Sequence, residues 1–181
     1  MDAVAALRAG RAVLLPTDGV YGLCSLVDEE ASRALYELKG RDPRQPSAII
    51  AANVEALLQL IPELDVSMLL PGPYTSVVPN PERRLPWITG DRPDTIAVRL
   101  PVLPDPVQAV MDAVGAVVAT SANEPGEPAA ASLDEVPGRI RAAVAAEIDA
   151  GPLPGTASTV VDFTGAEAVV LRAGAGPFPP T

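Results

Sequence analysis

The order of apolar runs along this chain predicts a three-layer α/β protein, with helices packed against a central sheet. Short apolar runs of strand length alternate with segments whose apolar residues recur at helical spacing, the pattern expected when sheet and helices share one core. Apolar residues make up 48% of the chain and charged residues 20%, a composition able to bury that core. The 21 prolines are spread through connections instead of forming one linker, and no internal repeat is visible. At 181 residues the expectation is one domain spanning 1–181.

Taken in order, residues 2–9 are alanine-rich and precede Gly10, so they read as a helix. Residues 12–15 read as a buried strand stopped by Pro16, and after the polar turn Thr17-Asp18-Gly19 residues 20–24 read as a second strand. Asp28 suits an N-cap for a helix whose Ala31, Ala34, Leu35 and Leu38 share one face, and Gly40 just past Lys39 is its stop signal. Residues 48–51 form a strand, Asn53 caps an apolar helix to about Leu60, and residues 75–78 form another strand. Residues 79–94, dense in Pro, Arg and Asp, read as a long loop and a candidate lid, because loops of that length are usually functional. Strands at 96–100 and 116–120 flank a helix near 107–114, and 159–163 and 168–171 complete the set. The Gly/Pro clusters at 124–128 and 151–156 read as loops.

Several functional classes are disfavoured by composition. With 23 acidic and 13 basic side chains the net charge is -10, which repels polyphosphate backbones unless the basic residues gather locally. Direct RNA binding is therefore expected to be weak or absent. Cys24 is the single cysteine and there is no histidine, so neither an internal disulfide nor the usual zinc sets and His-based triads can be assembled. No apolar run reaches the roughly 18 to 20 residues that cross a bilayer, and Asp2 follows Met1 where a signal peptide would be basic; the expected location is cytoplasmic, without membrane attachment.

Polar residues cluster at four strand ends, where ligand crevices of open α/β sheets are found. Pro16 to Leu23 offers the Thr17 hydroxyl and small residues that allow close backbone approach, or is an ordinary β-turn. Lys39, Arg41 and Arg44 form a basic knot that would neutralise a triphosphate, or complement a helix C-terminus. Thr120-Ser121-Ala122-Asn123 supplies two hydroxyls and an amide, or a polar turn. Ser158 and Arg172 mark the two last strands, and Arg99 inside an apolar strand either faces solvent or needs an anionic partner. Cys24, in an apolar strand, reads as a core residue.

Together these segments resemble the YrdC/TsaC family of threonylcarbamoyl-adenylate synthases. The resemblance rests on Pro16-Thr17-Asp18-Gly19-Val20-Tyr21-Gly22, Lys39-Gly40-Arg41, Pro71-Gly72-Pro73-Tyr74-Thr75, Val98-Arg99, Thr120-Ser121-Ala122-Asn123, Ser158-Thr159-Val160-Val161-Asp162 and Leu171-Arg172-Ala173-Gly174, in the family order over nearly the whole chain. It implies a YrdC-like fold, a twisted mixed β-sheet flanked by helices around a concave cavity. It implies a nucleotidyltransferase that joins L-threonine, bicarbonate and ATP, with Mg2+, into threonylcarbamoyl-AMP and pyrophosphate. The product would pass to a transferase complex that modifies tRNA. By the same resemblance Lys39 and Arg41 are catalytic and hold ATP phosphates, Asn123 and Arg172 contact ATP, and Thr17, Arg99, Ser121 and Ser158 hold threonine, Arg99 through its carboxylate.

Two positions depart from the family pattern. Gln45 stands before Pro46 where lysine is common, and Gly19 stands where Thr or Ala is usual. Arg44 next door is the sequence's candidate replacement for the missing charge. The rival readings are an RNA-binding or ribosome-associated module, the YrdC-like module of carbamoyl-transferring hydrogenase-maturation proteins, and a catalytically degenerate paralogue.

Overall fold

The computed structural model describes residues 1–180. Its helices are α1 (Ala3–Arg8), α2 (Glu29–Lys39), α3 (Val54–Leu60), α4 (Pro86–Thr89), α5 (Asp105–Val114) and α6 (Gly138–Ala143). Its strands are β1 (Val13–Pro16), β2 (Tyr21–Leu26), β3 (Ala48–Ala51), β4 (Tyr74–Pro79), β5 (Thr95–Arg99), β6 (Ala116–Ser121), β7 (Ala146–Glu147), β8 (Thr159–Asp162) and β9 (Val169–Arg172). The expected caps are in place: the Asp28 carboxylate accepts from the Ala31 amide at 3.0 Å and the Asn53 side chain from the Ala56 amide at 2.9 Å, each satisfying an orphan donor of its helix.

The strands form one mixed sheet in the order β7-β1-β2-β6-β3-β5-β4-β8-β9. Alternation along each strand sends neighbouring side chains to opposite faces. Leu14, Leu23, Ile49, Val98 and Val118 pack on one face with Leu35 of α2, Leu57 of α3, Ile88 of α4 and Ile140 of α6. On the other face Val13, Leu15, Cys24, Ile50 and Val117 pack with Ala6 and Leu7 of α1 and Val107, Val110 and Met111 of α5. Each fully buried Leu, Ile or Val contributes about 1.5–3 kcal/mol. Helices thus lie on both sides of the sheet, as the sequence predicts, but α1 and α5 cover only part of their face.

The candidate lid at 79–94 is a packed clasp that contains α4. Asn80, fully buried, organises it: its Oδ1 accepts from the Arg84 amide, and its Nδ2 donates to the carbonyls of Arg84 and Pro93, all within 3.0 Å. The clasp is joined to the preceding connection by two backbone bonds, from the Ser47 amide to the Ile88 carbonyl and from the Asp91 amide to the Arg44 carbonyl, each 2.9 Å. Gly90 (φ +55°) makes this approach possible, since a Cβ there would collide with the Arg44 backbone. No helix among the described residues is long and apolar enough to cross a membrane.

Candidate functional site

Where α1 and α5 leave the sheet uncovered lies a cavity of about 550 Å³. Its floor comes from side chains too small to fill the space. Gly22 pairs with Ser121, Ala119 with Ala48 and Ala48 with Ala97, giving a strip of small side chains across four strands, bordered by Val77 of β4. Further along the same face Ile50 and Val117 belong to the core beneath α1 and α5. Vacancy and core therefore share one sheet face, separated by side-chain size.

The walls carry charge and hydroxyls. Arg41, Arg92, Arg99 and Arg172 line the cavity with Thr17, Ser47, Thr75, Thr89, Thr95, Thr120, Ser121, Asn123 and Ser158, and among the described residues Glu127 is the one acidic residue lining it. Basic side chains are gathered here in a chain of net charge -10. A low-dielectric concave surface with four cations and one acid is suited to an anion.

Seven of the eight sequence-predicted residues thus meet at one cavity: Thr17, Arg41, Arg99, Ser121, Asn123, Ser158 and Arg172. Lys39, the eighth, lies behind Asn123. Its Nζ donates to the Asn123 carbonyl and, at 2.8 Å, to Asn123 Oδ1. The Asn123 amide nitrogen donates in turn to the carbonyls of Glu124 (3.0 Å) and Glu127 (2.5 Å). Arg139 braces this turn against the end of α2, pairing with Glu124 and donating to the Leu38 carbonyl at 2.6 Å. Burial, followed by the like charge of Arg41, lowers the Lys39 pKa to about 8, against the opposing pull of Glu124.

Arg41 donates to the Pro46 carbonyl at 2.6 Å, and its Nε is buried without a partner among the described residues. Thr17 donates its hydroxyl to the Val20 carbonyl at 2.7 Å, which leaves its oxygen free to accept. Arg172 donates to the Ser158 carbonyl at 2.8 Å, and the Ser158 and Thr75 hydroxyls share a 2.8 Å bond. Arg99 has its anionic partner within the chain: Asp18, at 2.6 Å, with side chains 11% and 9% exposed. Burial outweighs this pairing, so the Asp18 carboxyl sits above its ordinary value and the Arg99 guanidinium below. Arg99 Nε and Asp18 Oδ2 remain buried and have no hydrogen-bond partner among the described residues.

Sequence reasoning missed Ser47, Thr75, Thr89, Arg92 and Thr95, which line the same cavity. The available signal was side-chain size: Ala48, Ala97 and Ala119, each next to a larger residue of the opposite face (Ile49, Val98 and Val118), mark the open face and so the residues that share it. Arg44 is turned away from the cavity into a bidentate contact with Asp42, its side chain 73% exposed.

Fold and cavity together define an α/β protein with an arginine-lined small-molecule site on an uncovered sheet face. The chain belongs to the Sua5/YciO/YrdC family, whose model, described as telomere recombination, matches residues 5–174. It is 35% identical over 181 residues to a putative threonylcarbamoyl-AMP synthase of Mycobacterium leprae, covering 96% of this chain and 81% of the relative. It is 36% identical to the threonylcarbamoyl-AMP synthase of Alkalilimnicola ehrlichii, covering 93% and 92%. The structure of P. abyssi Sua5 complexed with L-threonine superimposes with a TM-score of 0.86 at 34% identity, over 97% of this chain and 54% of that one. E. coli YciO shares the fold, with a TM-score of 0.80 at 24% identity over 98% of this chain and 90% of its own.

Proposed function

We propose that this chain is an L-threonylcarbamoyladenylate synthase, a cytoplasmic nucleotidyltransferase that makes threonylcarbamoyl-AMP and pyrophosphate from L-threonine, bicarbonate and ATP. The observation that carries the reading is the junction of four arginines, a row of hydroxyls and Asn123 at one cavity floored by glycine and alanine. A nucleotide triphosphate needs that volume and that charge, and a zwitterionic amino acid needs donors and acceptors side by side. The names of its relatives, and the binding of L-threonine by P. abyssi Sua5, support the same substrates.

In this reading the threonine amine and bicarbonate condense to a carbamate with loss of water. A carbamate oxygen then attacks the α-phosphorus of ATP, and pyrophosphate leaves. No protein nucleophile is required, which suits a chain without histidine and with its thiol buried. Catalysis falls to positioning and charge neutralisation. Thr17, Ser121, Ser158 and Arg99 would orient threonine. Arg41, Asn123 and Arg172 would hold the nucleotide, and Lys39 would swing from Asn123 to the phosphates. Magnesium enters as part of the substrate, chelated by the triphosphate oxygens. The product is destined for a transferase complex acting on tRNA.

The test is pyrophosphate release by purified protein given ATP, magnesium, L-threonine and bicarbonate, with each omitted in turn. Release should need all the substrates and fall by about a hundredfold in Lys39→Ala, the scale for losing one charged stabiliser. Release that continues without threonine or bicarbonate would sink the synthase reading.

A further inference from the structure

We propose that Arg92 is the residue that holds the outer phosphates of the nucleotide in this chain, replacing the lysine that the family pattern carries where Gln45 stands. This rests on the synthase reading above. Three cations of the cavity are already engaged within the protein: Arg41 by the Pro46 carbonyl, Arg99 by Asp18 and Arg172 by Ser158. Arg92 lines the same cavity, and among the described residues its guanidinium has neither an acidic partner nor a hydrogen bond. An unpaired arginine on a cavity wall can engage a polyphosphate without first breaking an internal contact, and its planar fork suits phosphate oxygens. Neighbouring Arg44 lacks both properties, being paired with Asp42 and outside the cavity lining.

The backbone explains how a residue far along the chain substitutes for position 45. The Asp91 amide donates to the Arg44 carbonyl and the Ser47 amide to the Ile88 carbonyl, so the segments carrying Arg92 and Gln45 run in contact. Gly90 lets them close, and the Arg92 amide is fixed by the Thr89 carbonyl at 3.0 Å. Arg92 is solvent-exposed as well as cavity-lining, which places it at the rim. The rim is where the outer phosphates, which depart as pyrophosphate, would lie.

Calorimetric titration of MgATP, inorganic tripolyphosphate and AMP into the wild type, Arg92→Ala, Arg92→Lys and Arg44→Ala tests the assignment, with thermal melts verifying the fold of each. Arg92→Ala should weaken MgATP and tripolyphosphate by about tenfold, the scale of one charge-assisted bond, and leave AMP within about twofold. Arg92→Lys should recover part of the loss, and Arg44→Ala should bind as the wild type. Arg92→Ala binding MgATP normally, or losing AMP as much as MgATP, overturns the proposal. Wild-type protein that binds none of the three overturns it together with the synthase reading. Arg92-dependent binding of MgATP and tripolyphosphate, without pyrophosphate release in the complete reaction mixture, sinks the synthase reading alone.

Discussion

Ala48 and Ile49 are neighbours in β3, as are Ala97 and Val98 in β5, Val118 and Ala119 in β6, and Gly22 and Leu23 in β2. In every pair the larger residue faces the core that holds α2, α3, α4 and α6, and the smaller faces the cavity. One face of the sheet is filled and the other is left partly vacant by the same strands. The lesson is that this site is made by withholding volume: one set of alternate positions is packed throughout, and the other is packed beneath α1 and α5 and left small where the ligand space lies.

The sharpest way to break that comparison is a reciprocal pair in β3. Ile49→Ala removes a fully buried side chain, and denaturant unfolding should show a loss of about 4 kcal/mol. Ala48→Leu puts bulk into open space, so stability should stay within about 1 kcal/mol while ATP affinity drops at least about tenfold. Equal destabilisation by the two would mean that the floor is packed.

A somewhat smaller effect is expected at the cavity wall. Asp18→Asn strands the buried Arg99 charge and should cost about 3 kcal/mol, with most of it recovered when Arg99→Met is added. Equal loss in the single and double variants would show that the two side chains are not coupled.

Smallest is a pH effect at Lys39, whose pKa is lowered from 10.5 to about 8. The folded chain releases this proton first, so between about pH 8 and 10.5 the unfolded chain binds more protons and Lys39 adds stability as pH rises. The cation that ATP needs is lost from the folded chain around pH 8, at the lower edge of that window. ATP affinity should therefore fall by about tenfold from pH 7 to 9, while Lys39→Arg stays flat. A flat profile in the wild type would mean that Lys39 stays charged throughout or does not hold the phosphates.

Local signals made most of the fold legible. Asp28, Asn53 and Gly40 mark helix ends through their own side chains or backbone, and the strands are apolar runs whose bounds shift by no more than two residues. What escaped lacks such signals. Strand β7 is two residues long and exists only because Ala146 and Glu147 pair with Val13 and Leu14. Helix α4 is one turn inside a proline-rich stretch, fixed by contacts to the 44–47 segment and by the buried Asn80. In the site, residues at strand ends stood out, whereas Arg92 became visible only once the clasp brought it to the cavity. The Arg99 partner, Asp18, lies 81 residues away and left no mark that spacing could reveal.

Gly19, where the family pattern has Thr or Ala, has a role in how the chain threads. The 151–157 segment crosses directly over it, with the Gly155 amide donating to the Gly19 carbonyl at 2.8 Å, and any Cβ at position 19 would collide with the Thr156 carbonyl. Positions 19 and 156 therefore form one heritable unit. A chimera that imports a threonine at 19 from a relative must import that relative's route from 151 to 157 as well, or accept a displaced approach to Ser158.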